Sequence, residues 1–323
     1  MKAVYIDEFG GPEVVKTGDL PVPEIQPDQL LIKVAAAGVN PVDWKIREGY
    51  LAAALTHKLP VILGWDMAGT IKAVGEDVQG FGVGDEIYCY NRMETIQQGT
   101  FAEYGIAPAS AVARIPNDMD FDTAATIPLV SLTAWQGLID IARLQAGETV
   151  FVDNGSGGVG GFAIQIAKSI GAKVIATAGG KNHDYLKSIG ADAVIDYQNA
   201  NIGNAIREYA RDGVDVVLDC TGTEEVEPLF GYVRKGTGRV VTINGLEQSI
   251  AVLESCAAEY DVMARMFHVE SDGVALTRIA ELIEQAKIRP LPVETYRLDE
   301  AVTALQKSQE GHVRGKLALR VAD

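Results

Sequence analysis

A glycine-rich loop between a strand-like and a helix-like segment is the strongest constraint on how this chain folds. Residues 148–153 are rich in β-branched side chains, and residues 156–170 carry apolar side chains at helical spacing. Between these segments lies a G-x-G-x-x-G motif made of Gly155, Ser156, Gly157, Gly158, Val159 and Gly160. The first glycine permits a tight turn, the second lets a diphosphate approach the backbone, and the third lets helix and strand pack closely. The loop therefore predicts a dinucleotide site at the helix N-terminus.

Strand-like and helix-like segments alternate from about residue 123 onward, which is typical of a parallel sheet covered by helices. A glycine-rich turn that binds nothing is the alternative for the loop. It is disfavoured because the whole surrounding pattern agrees with a nucleotide-binding unit. Six predicted strands with helices between them make a doubly wound domain: 148–153, 173–177, 193–196, 214–219, 239–243 and 261–269.

The length of 323 residues suggests two domains of about 150 residues each. Residues 1–122 contain short apolar runs between Gly, Pro and Asp clusters, which predicts a β-rich domain. Beyond Pro290 and Pro292 the tail offers only a short helix and a strand, so we expect it to pack on the first domain. We therefore predict an α/β chain in which a Rossmann domain, 125–269, is inserted into a β-rich domain made of 1–124 and 270–323.

The composition excludes several other classes of protein. Lys and Arg number 28 against 44 for Asp and Glu, and the net charge of -16 disfavours binding to nucleic acid or anionic membranes. No run of about 18 uncharged apolar residues and no signal-like N-terminus occurs, so we expect a soluble chain without a targeting segment. Three scattered cysteines exclude a disulfide framework and a four-cysteine zinc lobe, and favour a reducing cytoplasm: Cys89, Cys220 and Cys256.

The choice between NADPH and NADH is made about 20 residues beyond the loop, where an acidic side chain would bind the ribose 2′-hydroxyl. Residues 176–182 contain no acid, but they include Gly180 and Lys181. A loop of small residues followed by a cation suits a 2′-phosphate, so we predict NADPH as the cofactor. The alternative for Lys181 is a solvated lysine that begins a helix.

Several short stretches along the whole chain are similar to those of one enzyme family. They are AGVNPVD at 37–43, GWDMAG at 64–69, GVGDE at 82–86, GTFAEY at 99–104, SGGVG at 156–160, GAD at 190–192 and GKL at 315–317. In this order they resemble the medium-chain dehydrogenase/reductase superfamily, within it the zinc-free quinone oxidoreductase branch that includes zeta-crystallin. The resemblance implies a GroES-like catalytic domain built from both chain ends, a Rossmann domain between them, and a cleft where the nicotinamide meets the substrate.

The resemblance also implies roles for single residues. Asn40 matches an asparagine near the nicotinamide, Thr133 a threonine that contacts the cofactor, and Tyr197 a tyrosine beside the adenosine 2′-phosphate. Asn244 stands in a loop that resembles the one meeting the carboxamide, and Lys316, in the GKL stretch, is included in the cofactor site. For Asn40 and Lys316 the structural alternatives are a turn cap and a strand-edge charge. For Thr133 and Tyr197 they are a buried helix hydroxyl and ordinary packing.

Two further expectations depend on the resemblance. An ungapped count back from Tyr197 places the family's phosphate-binding lysine on Asn182, and Lys181 fits after a shift of one residue. Relatives commonly form homodimers through the edge of the Rossmann sheet, which is the predicted strand 261–269 in this chain. We therefore expect a homodimer.

The positions that hold catalytic zinc in metal-dependent relatives carry other residue types here. Asn40 stands where a cysteine belongs, and Trp65 and Asp66 replace a histidine and a glutamate. The segment that would form a structural zinc lobe contains Cys89 alone, and the four histidines lie in separate segments. Tetrahedral zinc would lack its thiolate and imidazole ligands, so no metal site is predicted.

Loss of zinc removes the Lewis acid that stabilises an alkoxide in alcohol oxidation. Quinones and α,β-unsaturated carbonyls need less help, because hydrogen bonds are enough for the developing enolate. The predicted activity is hydride transfer from NADPH to such a small molecule. The alternatives are an alcohol or carbonyl dehydrogenase, either independent of zinc or with an unrecognised metal, and a non-enzymatic NADPH-binding protein. No proton donor is assigned, although Lys45 and Tyr50 lie near Asn40 in the sequence, and Trp44 and Trp65 fit either an apolar slot or the core.

Overall fold

A computed structural model describes residues 1–222, 225–243 and 247–321, which form two compact units. The first unit comprises Met1–Leu132, Glu270–Ala286 and Pro292–Asp323, and the second comprises Thr133–Val269 and Lys287–Leu291. The first boundary thus lies after Leu132, whereas the change of sequence pattern suggested residue 124. The backbone N–H of Leu129 donates to Asp66 of the first unit, which keeps this segment there.

The chain enters the first unit through a series of strands and short helices. The strands are β1 (Lys2–Ile6), β2 (Lys16–Asp19), β3 (Gln29–Val39), β4 (Thr56–His57), β5 (Val61–Ile62), β6 (Asp66–Val74), β7 (Glu86–Tyr90), β8 (Thr95–Ile96), β9 (Tyr104–Pro108) and β10 (Val112–Arg114). The helices are α1 (Pro41–Arg47), α2 (Phe121–Ala124) and α3 (Pro128–Trp135), the last continued by a π-helical turn, Gln136–Ile141.

Strands and helices then alternate through the second unit. The strands are β11 (Thr149–Val152), β12 (Lys173–Ala178), β13 (Ala193–Asp196), β14 (Val216–Asp219), β15 (Arg239–Ile243) and β16 (Met263–Phe267). The helices are α4 (Gly158–Ile170), α5 (His183–Ser188), α6 (Ile202–Tyr209), α7 (Glu227–Phe230) and α8 (Glu247–Tyr260). The chain returns to the first unit as α9 (Gly273–Glu284), β17 (Val293–Arg297), α10 (Ala301–Glu310) and β18 (Lys316–Arg320).

The sheet of the second unit is parallel throughout its described residues, with strand order β13-β12-β11-β14-β15-β16. This is the doubly wound order in which the chain starts in the middle and winds outward in both directions. Its central strands bury Phe151, Val217 and Val240 completely, as expected of strands covered on both faces. The predicted six-stranded Rossmann sheet is confirmed. Its carboxyl edge at β11 and β14 is where such folds bind dinucleotides.

The main sheet of the first unit contains strands from both ends of the chain. Its order is β10-β7-β6-β3-β18-β17, with β9 also paired to β3. The C-terminal strand β18 pairs with β3 on one side and with β17 on the other, so Lys316 does not lie on an edge strand. The antiparallel register places Leu317 opposite Val39, which brings Lys316 next to Asn40.

None of the helices in the described ranges has the length and apolar character needed to cross a membrane.

Candidate functional site

The glycine-rich loop connects β11 to α4, and close packing excludes a side chain at two of its glycines. Gly157 caps the helix in an extended conformation, with φ -77° and ψ 177°. A Cβ on Gly160 would overlap the carbonyl oxygen of Asn154, and a Cβ on Gly155 would press on Leu186. The loop ends at the start of α4, a helix of 13 residues whose first backbone N–H groups have no hydrogen-bond partners within the helix. The loop and these N–H groups, called the glycine cradle below, fit the diphosphate of a dinucleotide.

The predicted residues of this loop differ in exposure. Gly155 and Gly160 are buried, whereas the four between them are partly exposed: Ser156, Gly157, Gly158 and Val159. The outer glycines therefore serve packing, and the residues between them form the surface that a ligand can reach.

The carboxyl ends of β12 and β13 lie side by side and bring together residues that the sequence predicts for the adenosine end of a dinucleotide. The parallel register sets Ala178 opposite Asp196. A Cβ on Gly180 would lie 3.5 Å from a carboxylate oxygen of Asp196, and one on Gly179 would lie 3.9 Å from the ring of Tyr197. The Tyr197 side chain is about half exposed. Gly180 and Tyr197, both predicted from the sequence, therefore belong to one surface.

Asp196 is an acid that the sequence prediction missed, because it considered only the strand before Lys181. The Asn199 side chain and the N–H of Gln198 both donate to this carboxylate and lower its pKa below the usual value. Asp196 therefore stays ionised at neutral pH. Lys181 lies exposed in a short 3-10 helix, Gly180–Asn182. This end of the sheet thus carries charges of both signs.

The remaining predicted contacts of the second unit are mostly buried. Asn182, the alternative to Lys181, is only 7% exposed, so Lys181 is the one of the two that faces solvent. Thr133 is buried in α3. Asn244 lies outside the described residues.

In the first unit, polar side chains meet at the start of α1, where Asn40 is the N-cap residue and Pro41 follows. Asp43 Oδ2 accepts from the backbone N–H of Asn40 at 2.7 Å, and the Asn40 amide donates to Asp66 Oδ2 at 2.8 Å. The backbone N–H of Leu129 donates to the other oxygen of Asp66 at 2.9 Å. Asn40, Asp43 and Asp66 are completely buried.

The ammonium of Lys316 completes this group. It donates to the carbonyl oxygen of Val39 at 2.9 Å and to the amide oxygen of Asn40. Asn40, Asp43, Asp66 and Lys316 are called the charged cluster below. The structure therefore brings Asn40 and Lys316 together, although they are 276 residues apart in the chain. Neither Asp43 nor Asp66 was predicted as part of a site, because only long-range strand pairing places them beside Lys316.

The charged cluster titrates near neutral pH. Burial raises the pKa of Asp43 to about 8 and that of Asp66 to about 7, while the ammonium of Lys316 opposes both shifts. Burial also lowers the pKa of Lys316, against the attraction of the two carboxylates. Two carboxyl groups are buried near one ammonium, so the cluster retains a proton near neutral pH.

The positions that hold zinc in metal-dependent relatives lie in or next to this cluster. Asn40 and Asp66 are hydrogen-bonded to each other, and Trp65 packs edge-on against Tyr90, with ring centroids 5.9 Å apart. Within residues 1–222, 225–243 and 247–321, no three His, Cys, Asp or Glu side chains are grouped as metal ligands.

The side chains considered as proton donors or slot walls lie on α1 and just after it. The Tyr50 ring meets Trp44 edge-on at 5.9 Å and is largely exposed. Lys45 stands over the Trp44 ring, and burial lowers its pKa. The Trp44 indole nitrogen is buried and has no hydrogen-bond partner among the residues that the structure describes. Trp65 is almost fully buried, as a core residue would be.

Comparisons with known proteins identify the family of this chain. Residues 26–117 match the family described as alcohol dehydrogenase GroES-like domain, and residues 189–319 match the family described as zinc-binding dehydrogenase. The chain is 31% identical to the mitochondrial NAD(P)H oxidoreductase RTN4IP1 of Danio rerio, over 100% of this chain and 92% of that protein. It is 34% identical to the chloroplastic NADPH-dependent alkenal/one oxidoreductase of Arabidopsis thaliana, over 99% of this chain and 79% of that protein.

A solved structure shares the whole fold. The quinone oxidoreductase from Coxiella burnetii superimposes with a TM-score of 0.88 at 33% identity, covering 100% of this chain and 99% of that one. The chain therefore belongs to the medium-chain dehydrogenase/reductase superfamily, in the branch of the quinone oxidoreductases and alkenal reductases.

Proposed function

We propose that this chain transfers a hydride from NADPH to a quinone or an α,β-unsaturated carbonyl compound without using zinc. The glycine cradle in front of α4 is the observation that carries the proposal, because it fits a diphosphate and little else. Relatives named as a quinone oxidoreductase and an alkenal/one oxidoreductase supply the substrate class. Asn40, Trp65 and Asp66 at the zinc-ligand positions support a reaction that does not depend on metal.

Reduced nicotinamide, when bound, supplies the hydride. The N–H groups at the start of α4 bind and orient the diphosphate, and the surface formed by Gly179, Gly180 and Tyr197 receives the adenosine ribose. We propose Thr133 and Asn244 as further cofactor contacts.

Asn40 has a fixed orientation in the charged cluster. Lys316 donates to its amide oxygen, and one amide hydrogen goes to Asp66. A side-chain amide has two hydrogens, so Asn40 retains one for donation. Asn40 remains our proposed neighbour of the nicotinamide, with Lys316 and Asp66 as the groups that keep its buried amide from flipping.

NADPH is proposed over NADH on the strength of Lys181. Its exposed ammonium is suited to a 2′-phosphate. Asp196 opposes this preference, because an ionised carboxylate beside Gly180 repels phosphate and accepts from a ribose hydroxyl. The preference therefore depends on which charge lies nearer the 2′ position.

The test is a panel of quinones, 2-alkenals and enoyl thioesters assayed with NADPH and with NADH. We expect cofactor oxidation that is faster with NADPH for at least one class. Absence of turnover across the whole panel with both cofactors would rule out the proposed activity. Metal analysis of the same preparation separates the alternatives, because one zinc per chain together with alcohol oxidation would favour a metal-dependent dehydrogenase.

A homodimer and a cytoplasmic location complete the proposal. β16 is the last strand in the sheet order of the second unit, and Met263 on it is exposed, which leaves an edge able to pair with a second copy. The three cysteines are unpaired, which suits a reducing compartment. The net charge of -16 supports the absence of nucleic-acid and membrane partners. Elution at the monomer mass in size-exclusion chromatography would contradict the dimer.

A further inference from the structure

Asn154, directly before the glycine-rich loop, has a backbone conformation that few residues other than glycine adopt. Its φ is 54°, in the left-handed region where asparagine is tolerated best among non-glycine residues. Its carbonyl oxygen accepts from the N–H of Gly157 at 3.2 Å and packs against Gly160. The side chain remains exposed. Asn154 therefore shapes the turn and presents its amide to solvent.

The neighbouring strand imposes this conformation. The backbone N–H of Asn154 is held by Asp153 Oδ1 at 2.9 Å and by the hydroxyl of Thr177 at 2.8 Å. The same hydroxyl donates to the Asp153 carboxylate, and the Thr177 carbonyl accepts from the N–H of Gly155 at 2.9 Å. Thr177 is fully buried in β12. The sheet thus fixes the start of the loop through one threonine.

The amide of Asn154 lies over Gly157, the N-cap residue of α4. A Cβ on Gly157 would lie 3.2 Å from Asn154 Nδ2 and 3.5 Å from its Cγ. Across the described residues, the side-chain amide of Asn154 makes no hydrogen bond to the protein. Because Gly157 is where a diphosphate approaches the backbone, an amide with two available hydrogens stands beside that approach.

We propose that the Asn154 side chain is a further ligand of the cofactor diphosphate, with Asp153 and Thr177 as its positioning residues. This inference rests on the proposed function. Asn154 Nδ2 donates to a non-bridging phosphate oxygen and adds a side-chain donor to the backbone N–H groups of the loop. Asp153 is compatible with a diphosphate nearby, because burial raises its pKa, and the Thr177 hydroxyl and the Asn154 N–H both donate to its carboxylate.

The test is calorimetric titration of the full-length protein with NADPH. Asn154→Gly keeps a residue suited to positive φ and removes only the amide. We expect the dissociation constant to rise at least roughly tenfold, as for loss of one hydrogen bond to a charged group. The matched control is Asp118→Gly, which relaxes an exposed position with φ 61° elsewhere, and which we expect to bind as the wild type does.

Two ligand fragments locate the effect. ADP-ribose contains the diphosphate and 2′-AMP does not, so Asn154→Gly is expected to weaken the first and leave the second unchanged. Equal affinity of wild type and Asn154→Gly for both NADPH and ADP-ribose would overturn the inference while leaving the proposed function intact. Failure of the wild type to bind NADPH or NADH would instead overturn the proposed function, and the inference with it.

Two more variants separate binding from positioning. Asn154→Asp replaces the donor by an anion, so we expect a loss larger than that of Asn154→Gly and a loss that shrinks as salt is added. Thr177→Val removes one of the two acceptors for the Asn154 N–H, and we expect a several-fold weaker NADPH affinity that Thr177→Ser restores. Equal affinity in the valine and serine variants would contradict the positioning role of Thr177.

Discussion

Each structural unit places two aspartates near each other, and the first unit adds a formal cation to its pair. Asn40 links Asp43 and Asp66 through its backbone N–H and its side-chain amide, and its amide oxygen accepts from the ammonium of Lys316. The positive charge of Lys316 attracts both carboxylates. Loss of that one group therefore leaves two buried acids without their cation.

The second unit uses hydroxyl groups for the same purpose. Asp219, fully buried at the end of β14, accepts from the N–H and the hydroxyl of Thr221 at 2.8 and 2.6 Å, and from the hydroxyl of Thr242 at 2.6 Å. Asp153 accepts from the hydroxyl of Thr177 on its other side. The strand register sets the four residues in one line across β12, β11, β14 and β15: Thr177, Asp153, Asp219 and Thr242, called the hydroxyl row below.

The two arrangements differ in how much stability is lost when one side chain is removed. Hydroxyl donors each supply one hydrogen bond, and the loss of one leaves the others in place. The ammonium of Lys316 donates to two buried oxygen atoms, so its removal leaves both of them without a donor at once. The hydroxyl row therefore keeps carboxylates beside the proposed diphosphate site without adding a cation, whereas the charged cluster depends on a single side chain.

The largest expected effect is that of Lys316→Met, which removes the cation of the charged cluster. We expect the free energy of unfolding to fall by about 3–5 kcal/mol, because the buried carbonyl oxygen of Val39 and amide oxygen of Asn40 both lose their charged donor. Urea unfolding measures this change. Lys72→Met, an exposed lysine on β6, is the control and is expected to change stability by less than about 0.5 kcal/mol. Similar losses in both variants would mean that the cluster does not depend on its ammonium.

The pH dependence of stability gives the next largest effect. The folded state raises the pKa of Asp43 from 3.8 to about 8, so it favours the protonated acid. The contribution of Asp43 to the free energy of unfolding is fully present below about pH 4. It is lost as the pH rises through 8, by up to about 1.4 kcal/mol per pH unit. We expect the unfolding free energy of the wild type to fall between about pH 5 and pH 8 by about 3–4 kcal/mol more than that of Asp43→Asn. Parallel pH profiles for the two proteins would show that Asp43 titrates normally.

A smaller loss is expected in the hydroxyl row. Thr242→Val keeps the shape of the side chain and removes one of three hydrogen bonds to Asp219, so stability is expected to fall by about 1–2 kcal/mol. Thr242→Ser, which retains the hydroxyl, is expected to recover most of this loss in the same urea titration. A Thr242→Val loss as large as that of Lys316→Met would remove the distinction between the two arrangements.

The smallest effect on stability is expected for the exposed charges at the adenosine end. Lys181→Ala is expected to change unfolding by less than about 0.5 kcal/mol. It is also expected to raise the KM for NADPH about tenfold relative to that for NADH, because only NADPH carries the 2′-phosphate. Asp196→Asn is expected to shift the same KM ratio in the opposite direction. Equal changes in KM for both cofactors in Lys181→Ala would mean that this lysine does not contact the 2′-phosphate.

The sequence predicted the second unit in more detail than the polar groups of the first. The glycine-rich loop and the alternation of strands and helices are local patterns, and local patterns are enough to order a parallel sheet. Lys316 is different, because it meets Asn40 only through the pairing of β18 with β3 across most of the chain. Its alternative interpretation as a strand-edge charge does not agree with a strand that is paired on both sides.

The adenosine end marks a second limit of sequence reasoning. Asp196 stands at the end of β13, one strand away from residues 176–182, where the sequence pattern places the deciding acid. The parallel register brings Asp196 beside Gly180. Asn154 likewise looks like an ordinary turn residue in the sequence. Its positive φ, and the side chain lying over Gly157, become visible only in three dimensions.

The short segment Lys287–Leu291 is a part of the second unit that a separately expressed nucleotide-binding domain would have to include. It belongs to the second unit although the chain has already returned to the first through α9. The Arg289 backbone exchanges two hydrogen bonds with the side chain of Gln165, and Leu291 fills the space above Gly161 on α4. A domain swap or truncation that ends at residue 269 would remove these contacts of Arg289 and Leu291 from α4, the helix that follows the glycine-rich loop. A recombinant nucleotide-binding domain therefore needs these five residues as well, either as a separate peptide or joined by circular permutation.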